Sequence, residues 1–513
     1  MVFAQTDATL AIDKFDRLLR VVNERYVDTV DSKELVDVAI RSMLEELDPH
    51  SVYLTKAQLD KANEPLLGKF EGVGIQFNLL RDTIVVVSPI AGGPSEKLGI
   101  RSGDKIIKIE DKVVAGVGFT NKDVMDHLRG DKGTQVNISM QRRGVKKLLD
   151  FEITRDKIPI FSVDASYMAT PEIGYIKLNR FSATTMTEIR TGMEGLQKEG
   201  MKHLILDLRG NSGGYLSTAI RLADEFLPEN KLVVYTEGRA SPRKDTYATN
   251  RGNFEEGKLV VLIDEGSASA SEIVSGAIQD WDRGLLIGRR SYGKGLVQKP
   301  FKLPDGSAVR LTISRYYTPT GRSIQRPYDE GSDQYRQDLR NRFTKGELSS
   351  SDSIELPDSL KYYTPGRRLV YGGGGIMPDI FVPIDTQDIS DYYTTVRRKG
   401  LMNDFVLIYL DENREKLIKD YSDNRTFNKK FEMTAKLNKQ FTDFVAKEGV
   451  EFDQANYDVS AELMSTQLKA LLGRSLFDNS AYYEVYNNYD KVFKKAIESI
   501  ESNVFEKMKL SYK

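Results

Sequence analysis

The chain of 513 residues contains no cysteine. A disulfide framework, a thiol nucleophile and cysteine-based zinc or iron–sulfur sites are therefore excluded. Histidine is nearly as scarce, with only His50, His127 and His203. Any chemistry must work with almost no imidazole. An excess of one charge sign is missing too, because 74 Lys+Arg against 75 Asp+Glu leave a net charge of -1. No basic surplus advertises nucleic acid, and no acidic surplus suggests a solvating tail. No stretch approaches the ~20 apolar residues that a membrane span needs. What remains is an ordinary globular composition, 40% hydrophobic and 29% charged. It excludes a collagen, a disordered chain and a polytopic membrane protein. At roughly 100–200 residues per domain, the length predicts about three or four domains.

The first residues carry a processing signal. Val2 and Ala4 fit the small-residue pattern at positions −3 and −1 of a signal-peptidase site. The expectation is a trimmed, exported protein that starts near Gln5 and works in the periplasm or cell envelope. The alternatives are four arbitrary residues and a cytoplasmic protein.

Periodicity divides the chain into four regions. Residues 1–68 read as helical, with Leu10, Phe15, Leu18, Val22 and Tyr26 at spacings near 3.6. A second helix from about Ser32 stops at Asp48-Pro49, because the residue before a proline is pushed out of the helical region. Residues 69–156 switch to short alternating strands around one helix, Asn121 to Leu128, which predicts a compact β-rich module. Residues 157–385 alternate apolar strands and helices, the mark of an α/β fold. His203 to Leu208 is nearly all apolar, like a strand buried on both faces of a parallel sheet. Within this region residues 329–375 are polar and loop-like. Residues 386–513 return to a helical pattern without a recognisable motif, and they offer an accessory or pairing surface for a homo-oligomer.

Two segments are chemically loaded. Leu206 to Gly214 is a buried strand that ends in a Gly-rich turn before a helix. Such a turn can present backbone N–H groups to a phosphate or an oxyanion, or can be a simple tight turn. Asp264 to Ile273 repeats the arrangement with small side chains. There Ser269 and Glu272 have capping-box spacing, so an ordinary helix cap competes with catalysis. A serine nucleophile needs a base, and none of the three histidines is well placed for the part. A neutral lysine can serve if burial lowers its pKa. Lys294, between Gly293 and Gly295, is the candidate, with Gln298 following. On its own it reads equally as a solvated turn residue.

Eight motifs then occur in one order. They are Asp48-Pro49-His50-Ser51 with Tyr53, Gly72-Val73-Gly74-Ile75, Leu98 to Ile106, Leu208 to Gly214, Gly266 to Glu272, Tyr292 to Gln298, Tyr317 to Gly321 and Gly375 to Asp379. In this set the chain resembles the carboxyl-terminal processing, or tail-specific, serine peptidases over about residues 45–385. The resemblance implies a multidomain α/β protein. Its spiral protease core would be similar to crotonase and Clp-type peptidases, with an inserted β-rich PDZ domain and helical N- and C-terminal regions. It implies Ser269 as nucleophile, Lys294 as general base and Gln298 as the residue that orients the lysine. The oxyanion hole would combine the Ala270 N–H with one from Gly213 or Gly214, and the choice between these glycines stays open. Neither imidazole nor metal is required, so no metal or other cofactor is expected.

The resemblance also implies how a substrate is chosen. A PDZ domain adds an extended peptide beside its edge strand. Gly72, Val73, Gly74 and Ile75 would hold a terminal carboxylate. Ile75, Phe77, Val124 and Leu128 would line a pocket for an apolar last side chain, with His127 the nearest polar neighbour. Bound peptide would switch the protease on, with Arg101 as candidate contact to the core. The expected partners are proteins or peptides with free, apolar C-termini, and not nucleic acid. Two other readings compete: a catalytically idle PDZ scaffold, and a crotonase-type enzyme that binds an acyl thioester at the Gly-rich turn. The intact Ser269, Lys294 and Gln298 argue against the scaffold, and the thioester enzyme would need neither a Ser-Lys pair nor a PDZ module.

Overall fold

The computed structural model describes the backbone of residues 2–512 and the side chains of residues 7–512. The Val2 and Ala4 side chains, and with them the processing signal, lie outside the described residues. At the centre is a six-stranded sheet in the order Val163–Met168, Ile173–Leu178, His203–Asp207, Leu259–Ile263, Leu285–Gly288, Ile380–Phe381. Its first pair is antiparallel and the others are parallel. A parallel sheet must be covered on both faces, which is why its inner strands are mostly apolar. Leu204, Leu206, Val261 and Ile263 face a cluster with Ile189, Leu222 and Ile273 of three helices. Ile205, Val260, Leu262 and Ile287 face the other way, onto Val492, Phe493, Ile500 and Phe505.

The region expected as one C-terminal helical unit therefore has two destinations. Its last helices cover the second face of the central sheet. The helices between Asp391 and Leu476 form a separate apolar cluster around Phe405, Phe427 and Phe441.

A second sheet carries the hairpin Leu296–Lys302 and Ala308–Tyr317 around the turn Pro304-Asp305-Gly306. It also takes in the short strand Val52–Leu54, whose register runs Val52 to Arg310 and Leu54 to Ala308. That pairing carries His50 to the side of the lysine segment. The β-rich module is a sheet in the order Ile75–Leu80, Thr83–Pro89, Lys105–Ile109, Gln135–Gln141, Leu149–Thr154, with Ile75–Leu80 at an edge. The helix Asn121–Leu128 packs Val124 and Leu128 onto it.

The segment 329–375, polar in sequence, is structured. It holds the helix Ser332–Thr344 and a hairpin of Lys361–Tyr363 with Leu369–Tyr371. The buried side chains of that helix are Tyr335 and Arg342, both amphipathic, so it shows no apolar stripe.

The single tryptophan, Trp281, ends the helix Ala270–Asp280 and donates from Nε1 to the Leu232 carbonyl (2.7 Å). Its fluorescence reports on the central α/β core alone. Phe493→Ala should destabilise that core by about 3–4 kcal/mol in urea unfolding followed at Trp281. A loss below about 1 kcal/mol would mean that the chain's end only decorates the core.

Candidate active site

Two turns leave the carboxyl ends of neighbouring parallel strands, His203–Asp207 and Leu259–Ile263. Side chains and backbone sew them together. Ala268 N–H and the Ser271 hydroxyl both donate to the Asn211 carbonyl (3.0 and 2.8 Å), and the Ser267 hydroxyl donates to the Leu208 carbonyl (2.9 Å). The neighbours of Ser269 in its motif are thus structural fasteners. Beneath the Gly-rich turn, buried Asp207 accepts from Arg209 Nη2 (2.6 Å), the Tyr175 hydroxyl (2.8 Å) and Lys177 Nζ (3.2 Å). These cations hold its pKa below the usual carboxylate range despite burial.

Ser269 stands at the junction of turn and helix with φ 54° and ψ −110°. A non-glycine residue in that region is strained, and a strained strand-to-helix turn is how a serine is presented from an α/β sheet. The glycine turn comes close against it. A Cβ at Gly213 would lie 2.9 Å from Ser269 Cβ, and one at Gly214 would lie 2.1 Å from the Phe181 carbonyl oxygen. The two glycines differ in their donors. Gly213 N–H donates to Asn211 Oδ1 (2.9 Å). Among the described residues, neither Gly214 N–H nor Ala270 N–H donates to a protein acceptor.

Lys294 is half-buried and donates from Nζ to Gln298 Oε1 (2.9 Å). Gln298 Nε2 in turn donates to the His50 carbonyl, which fixes its amide so that oxygen faces the lysine. Burial lowers the Lys294 pKa, the nearby Arg310 charge lowers it further, and Asp48 and Glu272 oppose. No hydrogen bond joins the Ser269 hydroxyl to Lys294 in this conformation. Backbone contacts set their approach, through Glu272, which the sequence marked only as a helix cap, and Tyr316, which no motif marked.

The first is Glu272, fully buried. Its Oε2 accepts from Ser269 N–H (2.7 Å) and Lys294 N–H (2.9 Å). Its Oε1 accepts from Gly293 N–H (2.7 Å) and the Ser291 hydroxyl (2.5 Å). Burial pushes its pKa up, and these four donors oppose the rise. The second is Tyr316. Its buried hydroxyl lies 3.0 Å from the Ser269 carbonyl and 2.6 Å from the Lys294 carbonyl, with one proton to share between them. The capping-box spacing was the visible signal for Glu272. Tyr316 sits within a strand and gave none.

The three histidines are all engaged elsewhere. His50 Nε2 bonds the Tyr335 hydroxyl (2.8 Å), and burial followed by the Lys294 charge lowers the His50 pKa to about 4. His127 Nδ1 contacts the Asp123 carbonyl (2.7 Å). His203 Nδ1 accepts from Lys258 N–H (3.1 Å).

In the β-rich module, Val73 and Gly74 N–H groups donate to no protein acceptor among the described residues. The Val73 carbonyl is held by Ser95 N–H and Oγ. Ile75, Val124 and Leu128 are buried in the module's own core, and Phe77 packs against it half-buried. Arg101 is exposed and makes no ion pair among the described residues; its neighbour Ser102 is bonded by Arg414 instead (2.6 Å).

Comparison with known proteins fits this geometry. Residues 172–330 match the model of peptidase family S41, residues 72–153 a PDZ domain, and residues 3–58 the N-terminal domain of the activating protease CtpB. A carboxy-terminal-processing protease of Bartonella bacilliformis is 38% identical over 317 residues, which covers 61% of this chain and 72% of that one. The chain belongs to the carboxy-terminal-processing proteases of family S41. It is a serine peptidase with a PDZ domain on an α/β core. The carboxy-terminal processing protease CtpA of Bacillus subtilis is 35% identical over 329 residues, 63% of this chain and 70% of that one. Among solved structures, a photosystem II D1 C-terminal processing protease is 27% identical with a TM-score of 0.37, covering 72% of this chain and 92% of that one. Residues 392–478 match a family of unknown function.

Two outcomes test the backbone clamp. Glu272→Gln turns an NH₂ towards donors and should lower kcat/KM by about 100-fold, the scale of a small misplacement of reacting groups. Tyr316→Phe should lower kcat with little change in KM. Wild-type activity in both variants would remove the clamp from catalysis.

Proposed function

We propose that this peptidase captures the free C-terminus of a protein in its PDZ domain and cleaves the chain with a Ser269–Lys294 dyad. Ser269 Oγ attacks the peptide carbonyl while neutral Lys294 Nζ takes the hydroxyl proton. The C–N bond breaks as that proton passes to the leaving amine. Water then hydrolyses the acyl-enzyme and restores Ser269. Gln298 keeps the lysine aimed. Ala270 and Gly214 N–H groups take the oxyanion, each worth about 3 kcal/mol in the transition state. Gly214 is preferred to Gly213 because the Gly213 N–H is already given to Asn211. The observation that carries this reading is the pairing of a strained serine with a half-buried lysine across one shared carboxylate, Glu272.

The working division is a helical leader over 1–68, a PDZ domain over 69–156, a protease core over 157–385 and a helical region over 386–513. The unengaged Val73 and Gly74 N–H groups support carboxylate capture by the loop Gly72–Ile75. The hydrophobic wall around Ile75, Phe77, Val124 and Leu128 supports an apolar last residue. Export to the periplasm or cell envelope is part of the same reading; among the described residues no helix is long and apolar enough to cross a membrane. Exposed Leu10, Ile12, Phe15 and Leu18 on the first helix support pairing of two copies.

Ser269→Ala and Lys294→Ala should each abolish cleavage of an unfolded protein with an apolar C-terminus, with circular dichroism unchanged. Full activity in either would refute the dyad. Amidating the substrate C-terminus should slow cleavage; equal rates for amide and acid would remove carboxylate capture. Because burial lowers the Lys294 pKa, its neutral fraction grows as pH rises. Activity should therefore climb with pH and level off below the ordinary lysine value of 10.5. A climb that begins only above that value would exclude Lys294 as the base.

A further inference from the structure

The helical unit matched by the family of unknown function lies against the PDZ domain. Arg81 Nη2 pairs with Glu448 (2.6 Å), Arg414 bonds Ser102, and Lys105 Nζ lies 3.8 Å from Asp411. Between the two units is a cavity of 1150 Å³. Leu80, Thr83 and Val85 line it on the PDZ side, and Tyr409, Tyr421 and Phe444 on the helical side. These three aromatic rings are half-buried within the helical unit. Lysines and carboxylates of both signs, among them Lys416, Lys430, Asp420 and Glu432, surround them.

The path of a captured peptide leads to this cavity. The carboxylate loop Gly72–Ile75 stands at the start of the edge strand Ile75–Leu80. A peptide whose C-terminus sits in that loop and whose body pairs with the strand must run antiparallel to it, with upstream residues towards Leu80. Six strand residues at about 3.3 Å each are used up by roughly the last six residues of the peptide. The next residues arrive at Leu80 and Arg81, the rim of the cavity. An added strand lies in the plane of the sheet, so alternate side chains project on either face. One of those faces is the one that Leu80, Thr83 and Val85 turn to the cavity. Register agrees, since Leu80 stands opposite Thr83 and Asn78 opposite Val85.

We infer that this cavity holds the stretch of substrate polypeptide just upstream of the captured C-terminus, as an extended, unfolded chain. The inference rests on carboxylate capture by the PDZ domain. Aromatic faces and charges of both signs suit a partner whose sequence varies, since they offer apolar contact and ion pairing to many side chains. The helical unit is then a second substrate contact, and it makes the enzyme prefer tails long enough to span both.

The absence of native cysteine makes the test direct. In the full chain carrying Ser269→Ala, a single Gln440→Cys places a thiol on an exposed residue of the cavity wall. Free-acid peptides of 6 and 16 residues share one apolar C-terminal sequence, and the longer carries one cysteine, activated as a mixed disulfide with thionitrobenzoate that leaves on exchange, either third or ninth from its end. The expected result is about tenfold tighter binding of the longer peptide, with disulfide capture by Gln440→Cys at the ninth position and not at the third. Equal affinities without capture at the ninth position, alongside weaker binding of the amidated peptides, would overturn the cavity's role and leave carboxylate capture standing. Amidation without effect on either length would overturn both. A change in sedimentation mass on labelling Gln440→Cys, with peptide affinity unchanged, would make the cavity an interface between copies and overturn the inference.

Discussion

One buried carboxylate and one buried phenol hold the proposed nucleophile and base of this peptidase in relation. Glu272 takes the N–H of Ser269 and of Lys294, and the Tyr316 hydroxyl lies between their carbonyls. Two stretches of chain from different strands are thereby locked together by their backbones. Side-chain freedom at Ser269 and Lys294 is left for the proposed proton transfer. A buried carboxylate is costly unless its oxygens are satisfied, and Glu272 meets that condition with four donors. The same low-dielectric surroundings that strengthen these bonds penalise a charged amine, which is what a lysine base requires.

The environment of the lysine is assembled from parts distant in sequence. Gln298 presents its oxygen because its amide nitrogen is committed to the His50 carbonyl. His50 is placed by Asp48, which accepts from His50 and Ser51 N–H groups (both 2.8 Å), and by Tyr335 of the helix Ser332–Thr344. Arg342 of that helix donates to the Ser291 carbonyl (2.8 Å) just ahead of the lysine turn. The histidine-poor candidate site thus uses one histidine through its backbone, and the ring of that residue only supports the position.

The covering of the protease sheet ties the last helices to the core. A parallel sheet cannot leave a face in water, so the chain returns after the helical unit to place Val492, Phe493 and Ile500 on it. Arg209 adds an ionic tie, with Asp207 on one side and Asp490 on the other (both 2.6 Å). The Gly-rich turn is therefore anchored to both the sheet and the last helices.

Much of this was legible in one dimension. The apolar strands and their helices followed from periodicity, because burial on one or both faces is written in the order of side chains. The helix Asn121–Leu128 was read to the residue. Ser269, Lys294 and Gln298 stood out because their motifs are local. The helix Ser332–Thr344 was missed, since its buried face is a tyrosine and an arginine. Tyr316 and the function of Glu272 were missed because a hydrogen bond between distant segments leaves no periodic trace. The choice between Gly213 and Gly214 could not be read either, since it depends on whose N–H Asn211 occupies. The sequence by itself determined the fold class, the order of the parts and a chemistry without thiol and with little use for imidazole. Only the tertiary structure decided which backbones meet, which donors stay free and what covers the sheet, because those depend on contacts between residues far apart in the chain.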